Sequence, residues 1–474
     1  MYDGMRGAAM CGVLGMICSN CRRGKQQVFP RLMTCGNDIS HRGEQAWGIV
    51  TSDGQSMFCH RQEGRFGEGI TEDKAAELSE RMQGDIGLAH TLYSTIGKSG
   101  QKKQPRSIQP AVAEFHGKPF ALVYNGNIYD LSGLRETART AGWKFESEVS
   151  DTEVIVALIA TSPETDFIEA LKRILPQLKG AFALGIVYDN KIIGVRDRCS
   201  VRPLCVGYND DVFILASESC AFYPVGAKFI REVRPGEIVV IGEKGIERFV
   251  RWTENTCCRF CIFEFIYFAR PDSRLCGGRT AYHYRNKAGL IMAKESPVDV
   301  DLIIPVPVGG DIFADSYASE LGIALRQGLF KNRLGIRTFM TPRGTDRRAL
   351  QRIKLHPLEE VIWGKRICLI EDSLVRLKVI PETALMCYEA GAKEVHVRVF
   401  SAPIRHRCYN GIDMATEAEL AAANFSVEEI REQAGVDSLV YLGLEGMIAA
   451  TGLSRDMLCL ACFNGDYPVE PPTE

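Results

Sequence analysis

Arg366-Ile367-Cys368-Leu369-Ile370-Glu371-Asp372-Ser373 is a short apolar run that ends abruptly in two acids and a hydroxyl. A run this short, with no polar alternation, reads as a strand covered on both faces, and such strands belong to parallel sheets. The flanking sequence has the same rhythm. Asp301–Val306 is apolar and ends in Pro307-Val308-Gly309-Gly310. Glu394–Phe400 ends in Ser401-Ala402-Pro403, and a helical segment from Pro381 to Ala390, stopped by Gly391, precedes it. Strand, helix and strand in that order predict a βαβ unit. Open parallel sheets bind ligands outside the carboxyl ends of their strands, which makes Glu371, Asp372 and Ser373 candidate binding residues. Two adjacent acids there suit ribose hydroxyls and a hydrated Mg²⁺, and the loop after them can offer N–H groups to phosphate. The plainer reading of a lone Glu-Asp is a solvated loop.

Upstream the pattern differs. Ile86–His90, Phe120–Tyr124, Ala183–Tyr188, Lys191–Val195, Val212–Ala216 and Ile238–Ile241 are short β-like runs. Gly, Asn and Asp punctuate them and helical patterns lie between, which predicts strands in two sheets with helices outside. A chain of 474 residues is too long for one core. The divisions we read are a leader at 1–10, a first domain at 11–245, a second at 255–414, and a mostly helical segment at 415–474 that closes on a cysteine pair.

Composition narrows the function. The chain is 46% hydrophobic and 24% charged, with formal net charge −2. That balance argues against a nucleic-acid or membrane-surface partner. No run approaches the roughly 20 apolar residues that span a bilayer, and Met1–Met10 lacks the apolar stretch of a secretory signal. The 17 cysteines show no regular disulfide spacing. They fit thiol or metal chemistry in a reducing compartment, the cytoplasm, better than a disulfide scaffold. Cys368 and Cys387 read as small core residues. Cys459-Leu460-Ala461-Cys462, taken alone, suits redox chemistry, zinc or nothing in particular.

Cys11 stands in Met10-Cys11-Gly12-Val13-Leu14-Gly15. A nucleophile needs a base. A cysteine exposed as residue one carries its own, an α-amino group with pKa near about 8, so a catalytic Cys11 requires removal of Met1–Met10. The bland alternative is a buried cysteine at a first strand.

His41-Arg42-Gly43, Ala89-His90-Thr91-Leu92-Tyr93-Ser94-Thr95, Tyr124-Asn125-Gly126-Asn127 and Ser150-Asp151-Thr152-Glu153 follow in order. Together they resemble the glutaminase domain of N-terminal-nucleophile (class II) amidotransferases. The resemblance makes Cys11 the nucleophile, gives Asn125 and Gly126 the oxyanion, and gives Asp151 the glutamine ammonium. The family places an arginine for the glutamine carboxylate where this chain has Leu92, and Arg42 is left to carry part of that role.

Phe263-Glu264-Phe265-Ile266-Tyr267-Phe268-Ala269-Arg270-Pro271-Asp272-Ser273 resembles a signature of the amidophosphoribosyltransferases, which open purine synthesis. So do Lys331-Asn332-Arg333 with Arg337-Thr338-Phe339, Ala390–Val397 and Gly411-Ile412-Asp413. The likeness runs from Cys11 to Pro468. It implies an α/β protein, with an N-terminal-nucleophile αββα sandwich followed by a type I phosphoribosyltransferase domain. It further implies Mg²⁺ at Glu371 and Asp372, and Arg333, Arg337 and Lys354 in or beside a loop closing on phosphoribosyl pyrophosphate. Tyr267, Arg270 and Ser273 would lie near that second site. Cys261, Cys408, Cys459 and Cys462 would hold a [4Fe–4S] cluster, although four thiolates also suit zinc, with Cys257 and Cys258 close enough to compete. Glutamine and phosphoribosyl pyrophosphate are the implied substrates, purine nucleotides the inhibitors, and a homo-oligomer the assembly. Two phosphate-binding elements depart from the pattern. The family's Gly-Thr-Thr is Leu377-Lys378-Val379, and its acid and hydroxyl loop is Val308-Gly309-Gly310.

Three readings follow. The chain is a glutamine-dependent amidophosphoribosyltransferase; or a degenerate paralogue with a regulatory or nucleotide-binding role; or an N-terminal-nucleophile amidase without the transferase step.

Overall fold

The computed structural model describes residues 10–19, 27–93, 108–145, 150–332, 352, 355–412, 414 and 416–472. Its N-terminal half is a four-layer sandwich. The first sheet has seven antiparallel strands, in the order Lys228–Glu232, Cys205–Tyr208, Val212–Ala216, Gly12–Cys18, Ile86–Leu92, Ala46–Ser52 and Met57–Glu63. The second has six, in the order Gly245–Arg251, Glu237–Gly242, Lys191–Arg196, Lys179–Tyr188, Lys118–Tyr129 and Ala111–Phe115. Between them Val13, Ile17, Val50 and Leu88 interlock with Ala121, Val123, Ala183 and Val239. Helices close both outer faces. Leu32 and Cys35 of the helix Val28–Asp38 and Leu78 of Glu72–Arg81 cover the first sheet. Helices Leu131–Thr140, Asp151–Ala160 and Phe167–Ile174 cover the second. The alternating pattern of each strand thus has an apolar partner on both sides.

The second half is built on a five-stranded parallel sheet, in the order Ala324–Leu325, Leu302–Pro305, Arg366–Glu371, Glu394–Val399 and Ser438–Tyr441. Arg366–Glu371 is its middle strand. Cys368 and Ile370 pack into one core and Ile367 and Leu369 into the other, which is why the run shows no alternation. The helix Val379–Glu389 makes the crossover.

The segment 415–474 is less helical than its sequence suggests. Ser438–Tyr441 completes the parallel sheet, and Leu458–Cys459 pairs in parallel with Phe260–Cys261, setting Cys459 opposite Cys261. Runs of four and two residues carry too little periodicity to declare a strand; the neighbouring strand supplies it. Among the described residues no helix is long and apolar enough to cross a membrane.

Candidate functional site

Cys11 immediately precedes Gly12–Cys18, the middle strand of the first sheet. It is half-buried, and its Sγ donates to the Tyr93 carbonyl at 3.5 Å. Ala46, Leu92 and Ile108 form an apolar patch against it. Leu92 therefore sits beside the candidate nucleophile, where the family pattern has a cation.

Asn125 and Gly126 lie within the strand Lys118–Tyr129. Asn125 is buried, and its Nδ2 has no hydrogen-bond partner among the described residues. An amide donor left open at such cost fits a group that receives its acceptor from a ligand. Gly126 has φ +155°, and a Cβ there would lie 2.0 Å from the Ala181 carbonyl oxygen, so only glycine fits. Ser150 caps the helix Asp151–Ala160 by accepting from the Glu153 N–H, which sets Asp151 in the first turn. Burial pushes the Asp151 carboxyl up, while the Tyr124 hydroxyl and backbone N–H groups pull it back. Tyr124 feels both Asp151 and Cys11, so the three are neighbours.

Arg42 departs from the sequence reading. The short helical turn Ser40–Arg42 delivers it into a wholly buried position. Its Nη1 bonds Glu218 Oε1 at 2.5 Å, its Nη2 bonds Glu264 Oε1 at 2.9 Å, and its Nε bonds the Cys11 carbonyl at 3.2 Å. A guanidinium holding two carboxylates has no face left for a glutamine carboxylate; Arg42 is a structural bridge instead. Glu218 also meets His41 Nε2 at 2.8 Å, and it accepts from Ser273 Oγ at 2.7 Å and from the Arg270 N–H at 2.9 Å. The Arg270 guanidinium pairs with Asp38 and Asp272. Arg270 and Ser273 thus serve the junction around Glu218 rather than the second site. Tyr267 lies between the sites: burial raises its phenol, and so do Asp372, Glu371 and Tyr93.

The sequence reading missed Glu218. Its signal was present, since Ser217-Glu218-Ser219 follows the apolar strand Val212–Ala216 as Glu371 follows its own.

Glu371 and Asp372 are buried at the carboxyl end of the middle parallel strand. Burial raises both, Asp372 to about 6, with Arg285 and Ser373 Oγ opposing. Glu371 Oε2 and Asp372 Oδ2 have no hydrogen-bond partner among the described residues. Gly309 approaches so closely that a Cβ would sit 1.7 Å from Asp372 Oδ2, which brings the Pro307–Gly310 loop against the acids. Val308 itself is exposed. In the following loop Leu374 and Val375 are buried, Leu377 is half-buried and Lys378 is exposed at the start of the helix Val379–Glu389. Arg333, Arg337 and Lys354 lie outside the described residues.

The four family cysteines converge. Asn410 N donates to Cys408 Sγ at 3.3 Å and its Nδ2 to Cys459 Sγ at 3.9 Å. Burial pushes up Cys261, Cys459 and Cys462; Cys408 adds to each, Cys459 also raises Cys261 and Cys462, and Cys261 raises Cys462. The buried Arg202 faces Cys261, Cys408 and Cys459; its Nη1 meets Met10 and pairs with Glu264, while Nε and Nη2 lack partners among the described residues. Among the described residues no three metal-type side chains are gathered tightly enough to hold an ion as they stand. The donor chemistry nonetheless fits a buried anionic group, since four thiolates would satisfy the open guanidinium. Cys257 is no competing ligand, because it is disulfide-bonded to Cys199; Cys258 turns to Cys276 instead.

The sandwich, with a strand-leading cysteine, an open amide donor and a capped aspartate, defines a glutamine amidotransferase of the N-terminal-nucleophile class. Residues 99–224 match the model of a glutamine amidotransferase domain. An amidophosphoribosyltransferase from Methanocaldococcus jannaschii is 36% identical over 97% of this chain and 98% of its own length, and one from Synechocystis is 38% identical over 98% and 91%. The solved glutamine phosphoribosylpyrophosphate amidotransferase from B. subtilis, complexed with ADP and GMP, superimposes with TM-score 0.88 at 35% identity over 97% of this chain and 98% of that one. The chain belongs to the amidophosphoribosyltransferase family.

Proposed function

We propose that this enzyme makes phosphoribosylamine from glutamine and phosphoribosyl pyrophosphate. One observation supports the reading: Arg42 ties the backbone of the proposed nucleophile, Cys11, to Glu264 of the second half, which joins the two halves beside Cys11. Maturation removes Met1–Met10, and the α-amino group of Cys11 becomes the base. The thiolate attacks the glutamine amide carbon while Asn125 and Gly126 hold the oxyanion and Asp151 holds the substrate ammonium. The C–N bond then breaks, the Cys11 α-ammonium gives its proton to the departing ammonia, and water hydrolyses the thioester to glutamate. Ammonia passes Tyr93 and Tyr267 to the carboxyl end of the parallel sheet. Glu371 and Asp372 hold the ribose hydroxyls, and pyrophosphate leaves as nitrogen bonds to C1. Bound Mg²⁺ would supply charge neutralisation for the pyrophosphate.

Cys261, Cys408, Cys459 and Cys462 are proposed to hold a [4Fe–4S] cluster that ties the C-terminal segment to Phe260–Cys261. Their convergence and the open Arg202 guanidinium support this. Anaerobically purified protein should be brown and contain iron and sulfide, and Cys459→Ser should remove both. The setting proposed is cytoplasmic and the assembly a homo-oligomer. Purine nucleotides are proposed inhibitors, a reading supported by the relative solved with ADP and GMP.

The apolar wall of Leu92 beside Cys11 favours a second reading, an amidase for substrates lacking the carboxylate. An anaerobic assay of matured protein with glutamine, phosphoribosyl pyrophosphate and Mg²⁺ separates the two. Equal glutamate and pyrophosphate is the expected outcome. Glutamate without pyrophosphate would favour the amidase, and neither product would sink the first reading.

A further inference from the structure

A second group of cysteines lies apart from the four family positions. Cys199 enters from the loop after the strand Lys191–Arg196, Cys257 and Cys258 from the segment leading into the second half, and Cys276 from a short turn beyond it. Cys199 and Cys257 are joined. Cys258 Sγ lies 3.7 Å from Cys276 Sγ, also receives the Ser200 hydroxyl at 3.8 Å, and as a thiol donates to the Met457 carbonyl at 3.6 Å. Cys258 is half-buried, whereas Cys276 is buried.

We propose that Cys258 and Cys276 form a peroxide-reactive modification site, with Cys258 the attacking thiol and Cys276 the partner that closes a reversible disulfide over the segment carrying Cys261 and Glu264. The pairing has the form redox-sensing thiols take: one accessible sulfur held as thiolate and one resolving sulfur in contact with it. Hydrogen bonds from Cys276 and Ser200 hold Cys258 down to about 6, against burial, while Cys276 is pushed up. The Cys258 thiolate attacks one oxygen of hydrogen peroxide, the O–O bond breaks, and the departing hydroxide takes a proton to become water. The Cys276 sulfur then displaces the hydroxyl of the sulfenic acid. Its S–H proton leaves with that hydroxyl as a second water, and the S–S bond forms. Two electrons pass from the sulfur pair to the peroxide. The new bond would span 18 residues of sequence, so oxidation would fasten the segment from which Glu264 reaches Arg42 and Cys261 reaches Cys459.

The test is differential alkylation of the full chain, purified anaerobically, exposed to graded hydrogen peroxide, quenched with iodoacetamide and digested with trypsin. The peptide Trp252–Arg259, already tied through Cys257 to Cys199–Lys228, should in addition appear joined to Leu275–Arg279, with fragmentation assigning the new bond to Cys258 and dithiothreitol releasing it. Half-oxidation should need at least about tenfold less peroxide than at Cys59, a half-buried thiol that burial pushes up. In Cys276→Ser the Cys258 sulfenic acid should persist and be captured by dimedone. The proposal is overturned if Cys258 and Cys276 remain open to iodoacetamide at doses that oxidise Cys59, or if either joins a different cysteine. Because these readings come from the wild-type chain, they hold even if the variant fails to fold.

Discussion

The backbone of Gly411 rests directly on that of Gly126: a Cβ built on Gly411 would sit 2.9 Å from the Gly126 carbonyl carbon. Next to this contact, Asn127 Nδ2 donates to the Tyr409 carbonyl at 2.9 Å. The segment that supplies Cys408 therefore braces the strand that supplies the candidate oxyanion donors. Gly411 has φ +100° as well, so a side chain there is both strained and obstructed. Gly411→Ala should lower glutamine-dependent kcat by at least about tenfold, because displaced oxyanion donors lose much of an effect of about 10²–10³. Rate with added ammonia should hold near wild type. Equal loss with both nitrogen sources would show that the contact does not act through Gly126.

Asn125→Ala tests the same donor directly. Nδ2 has no protein partner to lose, so folding should be little affected. Glutamine-dependent kcat should fall about 10²–10³-fold with KM nearly unchanged, the pattern of an interaction made in the transition state. A pure KM effect would assign Asn125 to ground-state binding.

Arg42→Met should be among the most destabilising single changes, costing about 3–5 kcal/mol, because it removes the cation that two buried carboxylates, Glu218 and Glu264, share. The same junction predicts acid sensitivity. Burial pushes the Glu218 carboxyl up, but His41 and Arg42 more than offset it and hold it well below its ordinary value of 4.5. A depressed folded value contributes stability above the unfolded value, and that stability is lost as pH falls below about 4.5. Thermal melts from pH 7 downward should therefore show a shallower acid decline in Glu218→Gln than in wild type, from a lower starting Tm. Parallel declines would remove Glu218 as the titrating group.

What could be read without coordinates depended on range. Three of the parallel strands were legible because each is a short, mostly apolar run closed by loop residues, the middle one by its acids, and Cys11, Asn125 and Asp151 each sit in a local motif. Arg42 was misassigned because its partners, Glu218 and Glu264, are 176 and 222 residues away; no local pattern records which carboxylate a cation will meet. Ser438–Tyr441 was missed for the same reason: it is a strand only because Glu394–Val399 lies beside it.

Leu92 bears on substrate preference. It is buried against Cys11 with Ala46 and Ile108, so the pocket offers a glutamine carboxylate an apolar wall. Leu92→Arg should lower KM for glutamine by about 10–100-fold, the worth of one charge-assisted hydrogen bond of about 1.5–3 kcal/mol. Its Tm without ligand should drop, since the new cation would be buried without a partner until glutamine arrives. An unchanged KM would mean that the carboxylate binds elsewhere.

Asp372→Asn should separate the two half-reactions. Asp372 Oδ2 is buried and open, and Arg285 is the cation whose field it feels. The amide keeps the shape but loses the charge that would meet a hydrated Mg²⁺, and it places a donor where ribose hydroxyls need acceptors. Pyrophosphate release with saturating ammonia should fall by at least about 10²-fold, on the scale of losing one well-placed electrostatic contact in a buried site. Glutamate formation at Cys11 should persist, because Asp372 touches none of Cys11, Asn125 or Asp151. Pyrophosphate release that survives the change would move the ribose site away from this strand end. Loss of both half-reactions would mean that the acids also govern the glutaminase, and Tyr267, which feels Asp372, Glu371 and Tyr93, would be the first residue to test as the link.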